Sequence, residues 1–334
     1  MTQGCITIWA GARFRYHLGE APSLHPVTAA CRMMRSRVSP RTRPATFISE
    51  NRDLSTLRKA IVGLDLATKD GGLVAALPGL RAWGVETVIL THVSRESPVP
   101  LLHQVDQTEG VSGKLAQANA WLSPFFGVEL CLRSGSAGAC LAEEAGDRGA
   151  NLIVLGVGAR GRLQEAIVGS TVLEVVRRSD LPVLLFPHAA LRGRRGRPLV
   201  SPHDTWILHP TDFSHASQRA LDLARELALE KNLPITVLHV LDARDPTPEE
   251  EVRDRLGRLA DELTSAGVTG VETVLERGTA WERVLAVSAE SDHTLVVMGT
   301  RGRGLLPGAI LGSQSREVAR RIAFPLLLVP YRVR

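Results

Sequence analysis

Two stretches of this chain carry one pattern. Residues 152–187 read LIVLGVGARGRLQEAIVGSTVLEVVRRSDLPVLLFP, and residues 295–330 read LVVMGTRGRGLLPGAILGSQSREVARRIAFPLLLVP. Gly156 aligns with Gly299, Gly169 with Gly312, Ser170 with Ser313, Glu174 with Glu317, Pro182 with Pro325 and Pro187 with Pro330. Each pair is 143 positions apart. A period of that length is a whole small domain rather than a solenoid unit, so the chain is a duplication. In each copy a glycine-bearing loop stands between an apolar strand and a helix that opens at Gly-Ser. That arrangement suits a phosphate.

The hydrophobic pattern fills in the rest of each copy. In the first, strands are expected at 59–66, 87–93, 128–133, 152–156 and 183–186, with helices at 72–83, 113–123, 139–148 and 170–178. Pro78 should kink or shorten the first helix, because it removes a backbone donor. In the second, strands are expected at 206–209, 235–241, 272–276, 294–298 and 326–329. Its helices start near Ser214, Pro248, Thr279 and Ser313. Continuous apolar runs such as IVGLDL, NLIVL and PVLLF suit parallel strands covered on both faces. Asp65 matches Asp212 and His92 matches His239 at an offset of 147, which falls to 143 because the second helical region differs in length. The expected fold is α/β: two repeated doubly wound domains, each an open five-stranded parallel sheet of order 3-2-1-4-5 flanked by helices. The ligand crevice of such a sheet lies at the carboxyl ends of its strands.

The boundaries follow. Residues 1–54 show no period, contain Pro22, Pro26, Pro40 and Pro44, and read as a disordered basic extension. Residues 55–188 are the first domain, 189–204 a basic linker, and 205–334 the second domain. The formal charge of +5 is concentrated in the extension and in Arg192, Arg194, Arg195 and Arg197 of the linker. Few aromatics interleave with these arginines, so a solvated tail is the reading and nucleic acid is not the expected partner. No membrane-spanning run appears, and Arg13 and Arg15 follow rather than precede the first short apolar stretch, unlike a secretory signal. A cytoplasmic protein is expected. The four cysteines form no CxxC pair, which argues for reduced thiols over a disulfide framework or zinc site.

The second copy carries the fuller loop: Gly299-Thr300-Arg301-Gly302, nine residues, then Gly312-Ser313. Glycines let backbone N–H groups approach a ligand without a Cβ in the way. The first N–H groups of a helix starting at Ser313 lack intrahelical partners, and its dipole favours an anion. Arg301 and Arg303 add charge. The first copy has Ala159 where the second has Gly302, with Gly158 and Gly161 nearby, so its loop is degenerate.

With these motifs on view, both copies resemble universal stress protein domains, over about residues 55–331. The second has that family's Pro-Thr-Asp-Phe-Ser start (Pro210–Ser214), its Leu-His-Val second strand (Leu238–Val240) and the full G-x-x-G, nine residues, G-S signature. In the ATP-binding branch, the resemblance implies that Asp212 reads adenine, with Pro210, Thr211, Val240 and Met298 around it. Gly299, Arg301, Gly302, Gly312, Ser313 and Gln314 would hold the phosphates, with Mg²⁺ or Mn²⁺. The corresponding positions in the first copy are Asp65, Val93, Gly156, Gly169 and Ser170. The family also pairs through its last strand, which implies an internal pseudo-dimer of the two domains and leaves a homodimer open.

The plainer readings stay beside these. Asp65 and Asp212 are also ordinary turn residues, His92 and His239 read as structural histidines, and Trp83, Trp121, Trp206 and Trp281 read as packing. Glu174 and Glu317 read as surface or interface residues rather than general bases. No nucleophile is poised for transfer, so at most slow ATP hydrolysis is expected. Two alternatives remain: a dimerising scaffold without nucleotide, and an adenine-nucleotide α-hydrolase type of enzyme. The latter lacks its SGGxDS or HIGH-type motif here.

Overall fold

The computed structural model describes residues 57–66, 70–94, 102–157, 169–187, 205–290, 293–302 and 311–331, together with a strand at residues 6–9. The sequence's expectations for Ala159, Gly158, Gly161, Arg303 and the linker arginines lie outside these.

In the first repeat the order is β2 (Lys59–Leu64), α1 (Asp70–Ala76), a 3₁₀ helix (Leu77–Trp83), β3 (Thr87–Ser94), α2 (Leu102–Leu122), β4 (Gly127–Ser134), α3 (Ala137–Asp147), β5 (Leu152–Val157), α4 (Ser170–Arg178) and β6 (Val183–Pro187). Pro78 acts as its chemistry requires: α1 stops at Ala76 and the chain tightens into the 3₁₀ helix with proline near its start. Gly84, at φ 93°, then closes that helix in the left-handed region. Helix α2 begins at Leu102 rather than near Gly113, because Gly110 and Gly113 weaken the pattern without breaking the helix.

The second repeat runs β7 (Trp206–Pro210), α5 (His215–Lys231), β8 (Ile235–Leu241), α6 (Glu249–Ser265), β9 (Val271–Arg277), α7 (Ala280–Glu290), β10 (His293–Gly299), α8 (Ser313–Arg321) and β11 (Leu326–Val329). Helix α5 is capped as its sequence suggests: Ser214 Oγ accepts from Ser217 N at 3.2 Å. Its Ala220, Leu221, Ala224, Leu227 and Ala228 are all buried on one stripe.

Within each repeat the strands pair in parallel in the order 3-2-1-4-5, and the two sheets join into one. The full order is β4-β3-β2-β5-β6-β11-β10-β7-β8-β9, with β1 (Ile6–Trp9) at the β4 edge. The join is antiparallel, Leu326↔Leu185, Leu327↔Leu184 and Leu328↔Val183. Both last strands are buried along their length, which removes an edge that either copy alone would expose. Strand β1 covers the opposite edge of the first repeat, pairing antiparallel from Ile6↔Leu132 to Trp9↔Glu129. These four residues depart from the expectation of a disordered extension. Their alternating ITIW pattern is too short to register as a period on its own.

Two apolar layers run through both repeats, one on each face of the sheet. Trp83 is fully buried in the first, whereas Trp121 is 53% exposed, so it is not the packing residue the sequence suggested.

Candidate functional site

The crevice of a doubly wound sheet opens between its first and fourth strands, where the strand order reverses. In the second repeat these are β7 and β10. Their ladder ends at Val296↔Leu208. The next donor that the register would aim at Val297 O is the nitrogen of Pro210, which carries no hydrogen. His209 takes that carbonyl instead, its Nδ1–H donating to Val297 O at 2.9 Å. The strands part there.

Beyond β7 the chain turns sharply. Phe213 sits at φ 58°, in the left-handed region, and a lattice of short bonds holds the turn. Phe213 N donates to Thr211 Oγ1 at 3.0 Å, and Ser214 N donates to Asp212 Oδ1 at 3.0 Å. Ser217 Oγ donates to Ser214 O and lies 3.0 Å from Thr211 Oγ1. From β8, His239 Nδ1–H donates to Thr211 O at 2.7 Å. The peptide that leads into Asp212 is thereby fixed from the neighbouring strand.

The glycine loop meets this turn. A Cβ on Gly302 would lie 2.6 Å from Asp212 Oδ2, and one on Gly299 would lie 2.7 Å from Ala216 O at the start of α5. Neither glycine has positive φ. Their value is close approach rather than left-handed freedom, and the groups approached are Asp212 and the start of α5. The loop's ends are stitched: Gly312 N donates to Thr300 O at 2.8 Å, Thr300 N to Val329 O at 3.1 Å, and Ser315 Oγ to Gly299 O at 2.9 Å. Gly312 is the N-cap of α8 with no side-chain cap, so the amides of that first turn are left to another partner. Ser313 and Gln314 are exposed there, and Gln314 Oε1 accepts from Trp281 N at 3.0 Å.

The residues singled out in the second repeat thus gather at one end of the sheet. Pro210, Thr211 and Asp212 end β7, Val240 lies in β8, Met298 and Gly299 close β10, and Arg301 and Gly302 follow. Among the described residues no three His, Cys, Asp or Glu side chains are grouped to hold a metal. Sequence reasoning missed four contributors: His209, Phe213, Ala216 and Ser315. A Ser-x-x-Ser pair at 214 and 217 was the one signal it had for the turn's bonding.

In the first repeat the same frame is differently furnished. Leu66 has φ 58°, matching Phe213 at the 147 offset, and His92 Nδ1–H donates to Leu64 O at 2.9 Å as His239 does to Thr211. Here the ladder runs on to Gly63↔Leu155, because Gly63 replaces Pro210. Leu155 and Leu141 close over Gly63, where a Cβ would meet them at 2.7 and 2.9 Å. Lys114 Nζ donates to Leu66 O at 2.6 Å. Asp65 and Val93 follow and end the first two strands, Gly156 lies in β5, and Gly169 with Ser170 opens α4. The loop between them is outside the described residues.

His209 is wholly buried, and burial lowers its pKa from the ordinary 6.5 to about 4, against the smaller opposing effects of the Val297 carbonyl and of Asp212. It is neutral at physiological pH, with Nδ1 protonated toward Val297 and no protein partner for Nε2 among the described residues. Glu317 is held in ion pairs with Arg320 and Arg321 on its own helix. Glu174 pairs with Arg178 and also accepts from the Ser136 hydroxyl at the start of α3, which makes it an interface residue between α3 and α4.

A family model described as the universal stress protein family matches residues 73–187 and again 206–330. A universal stress protein of Thermus aquaticus is 32% identical over 135 residues, covering 37% of this chain and 96% of its own length. One from Bacillus subtilis is 30% identical over 143 residues, covering 37% and 97%. Each such relative thus matches about one repeat. A universal stress protein structure from Archaeoglobus fulgidus superposes with TM-score 0.68 at 21% identity, covering 81% of this chain and 98% of that one, so the likeness extends to the two-repeat fold.

Proposed function

The chain belongs to the universal stress protein family, and from that premise we propose that it binds an adenine nucleotide, ATP foremost, in its second repeat. One observation carries the reading. Gly302 stands so close to the Asp212 carboxylate that a single added carbon would strike it at 2.6 Å. The group that would read adenine and the loop that would hold phosphate therefore face one crevice. Uncapped amides at the start of α8 supply the anion end. A divalent ion accompanying the nucleotide would take its ligands chiefly from the phosphates.

The first repeat serves as the structural partner. Its first and fourth strands stay paired as far as Gly63, with Leu155 and Leu141 packed tightly against that glycine, which favours a supporting role over a second binding site. The work assigned to the protein is nucleotide-responsive stress signalling in the cytoplasm, with hydrolysis slow if it occurs. His209 and His239 are committed to backbone carbonyls, Val297 and Thr211, so neither imidazole is poised as a general base for transfer.

Denaturing the purified full chain and identifying any released nucleotide by mass spectrometry, followed by calorimetric titration with ATP and Mg²⁺, tests this reading. Released adenine nucleotide or a saturable heat supports it. No heat with ATP, ADP or AMP would favour a nucleotide-free dimerising scaffold.

A further inference from the structure

We propose that Phe213 is a positioning residue for base selection: clamped between His239 and Arg255, it holds Asp212 in place to read the base, while phosphate binding does not depend on it. This rests on the nucleotide reading of the second repeat.

The backbone supplies the first reason. A bulky L-residue at φ 58° is an outlier that is strained at a cost relative to the right-handed region. Glycine would sit there without that cost, so something must hold an aromatic residue in this conformation. The Phe213 ring lies 4.6 Å from the His239 ring at an interplanar angle of 30°. The Arg255 guanidinium, carried on α6, lies 4.1 Å from the ring's centroid. Cation and ring attract through the ring's negative face. His239 is itself pinned by its bond to Thr211 O.

The clamp acts on Asp212 because the two are adjacent in a turn that leaves little freedom. Thr211 is held through its carbonyl by His239, and Phe213 through its amide by Thr211 Oγ1. With both neighbours fixed, Asp212 Oδ1 is drawn to Ser214 N, and Oδ2 is the atom turned toward Gly302. Removing the ring takes away the contacts that tie the turn to His239 on β8 and Arg255 on α6, and loosens the position of the carboxylate beside it. The ends of the glycine loop are held by Gly312 N on Thr300 O, Thr300 N on Val329 O and Ser315 Oγ on Gly299 O, and the open amides of α8 follow that anchoring rather than the ring.

The first repeat gives an internal comparison. Leu66 takes the same φ, and a cation from the second helix again docks on the turn, but it is Lys114 on the Leu66 carbonyl. The left-handed turn belongs to the fold. The aromatic clamp belongs to the repeat whose glycine loop is complete.

The test titrates the full chain with ATP and with GTP, in wild type, Phe213→Ala, Phe213→Tyr and Arg255→Met. The expected result is that Phe213→Ala weakens ATP about tenfold, a loss of about 1.4 kcal/mol, and GTP by less than about twofold, so the preference for adenine shrinks by that ratio. Arg255→Met gives a smaller loss in the same direction, and Phe213→Tyr restores the preference. An unchanged ATP:GTP ratio in Phe213→Ala overturns the inference. So does a parallel loss of both ligands, which would mark a merely structural residue. A wild type that binds neither nucleotide, or does not discriminate, defeats the functional reading itself and is told apart by that control.

Discussion

The two crevices of this molecule share a frame and differ at its hinge. Both have a left-handed residue after the aspartate, at Leu66 and Phe213, and a histidine from the second strand bonded across to the first, His92 to Leu64 and His239 to Thr211. They part at one position. Gly63 lets the first repeat's ladder run to Leu155, with leucine side chains folded over it. Pro210 stops the second repeat's ladder at Leu208, and His209 takes over the stranded Val297 carbonyl. On the nucleotide reading of the second repeat, the difference teaches that the strands beside a phosphate loop matter as well as the loop. The strands beside it must also separate, and a proline backed by a histidine achieves that.

A second contrast lies beneath the sheet's other face. In the first repeat Glu144 is buried and bonded to Arg133 and Arg148, the latter at 2.5 Å from Nε. Burial works to raise its pKa, but the hydrogen bonds from Arg148 and Arg133 outweigh it and hold the carboxyl below its ordinary value. The matching residue in the second repeat is the buried Val287. Replacing Glu144 with alanine removes the buried carboxylate that both guanidinium groups share, while Arg133 keeps Glu143 and Arg148 keeps Glu129. Losing its charge-assisted bonds should cost about 3 kcal/mol of stability. Chemical denaturation would read this, and a loss below about 1 kcal/mol would show the network to be dispensable.

Next in size is the loop. Gly302→Val should weaken ATP by about a hundredfold, about 2.7 kcal/mol, by pushing Asp212 aside. Gly169→Val, with nothing within 4 Å of its Cβ position, should leave ATP binding unchanged. Equal effects of the two would erase the distinction between repeats.

His209 gives a pH signature of the hinge. Its folded pKa of about 4 lies below the ordinary 6.5, so between these values the unfolded chain takes up a proton that the folded chain refuses. Stability from this group is complete above pH 6.5 and is lost as pH falls toward 4, by up to about 3 kcal/mol. His209→Val, which copies Val62, should remove that dependence. At neutral pH it should cost about 1–3 kcal/mol, because Val297 O loses its donor. Denaturant midpoints measured from pH 7.5 to 4 check both arms.

The smallest effect expected is that of Asp212→Asn. Asparagine keeps an acceptor for Ser214 N but loses the charge, and ATP should weaken by about tenfold or less. Asp65→Asn should leave the titration unaltered.

Much of this architecture was legible in the chain. The duplication follows from the apolar runs and from Pro182, Pro187, Pro325 and Pro330 in register. The strand order follows from the alternation of strands and helices in a doubly wound sheet, and the pairing of the last strands from the resemblance to the family. The gathering of Asp212 with Gly302 was implied by the motif, though its reason was not. Glycine at 302 is required by the neighbouring carboxylate and not by its own φ. What stayed hidden depends on long-range contact. No local pattern announces that Pro210 starves a carbonyl on β10, that His209 repairs it, or that Arg255 on α6 reaches a ring at 213. Trp121 misled because its α2 pattern reads as packing while its side chain faces solvent.

The most direct test counts nucleotides. Calorimetric titration of the full chain with ATP should give one nucleotide per chain, unaltered in Asp65→Asn and lost in Gly302→Val. Two equivalent nucleotides per chain, or one that survives in Gly302→Val, would contradict the assignment of the site to the second repeat.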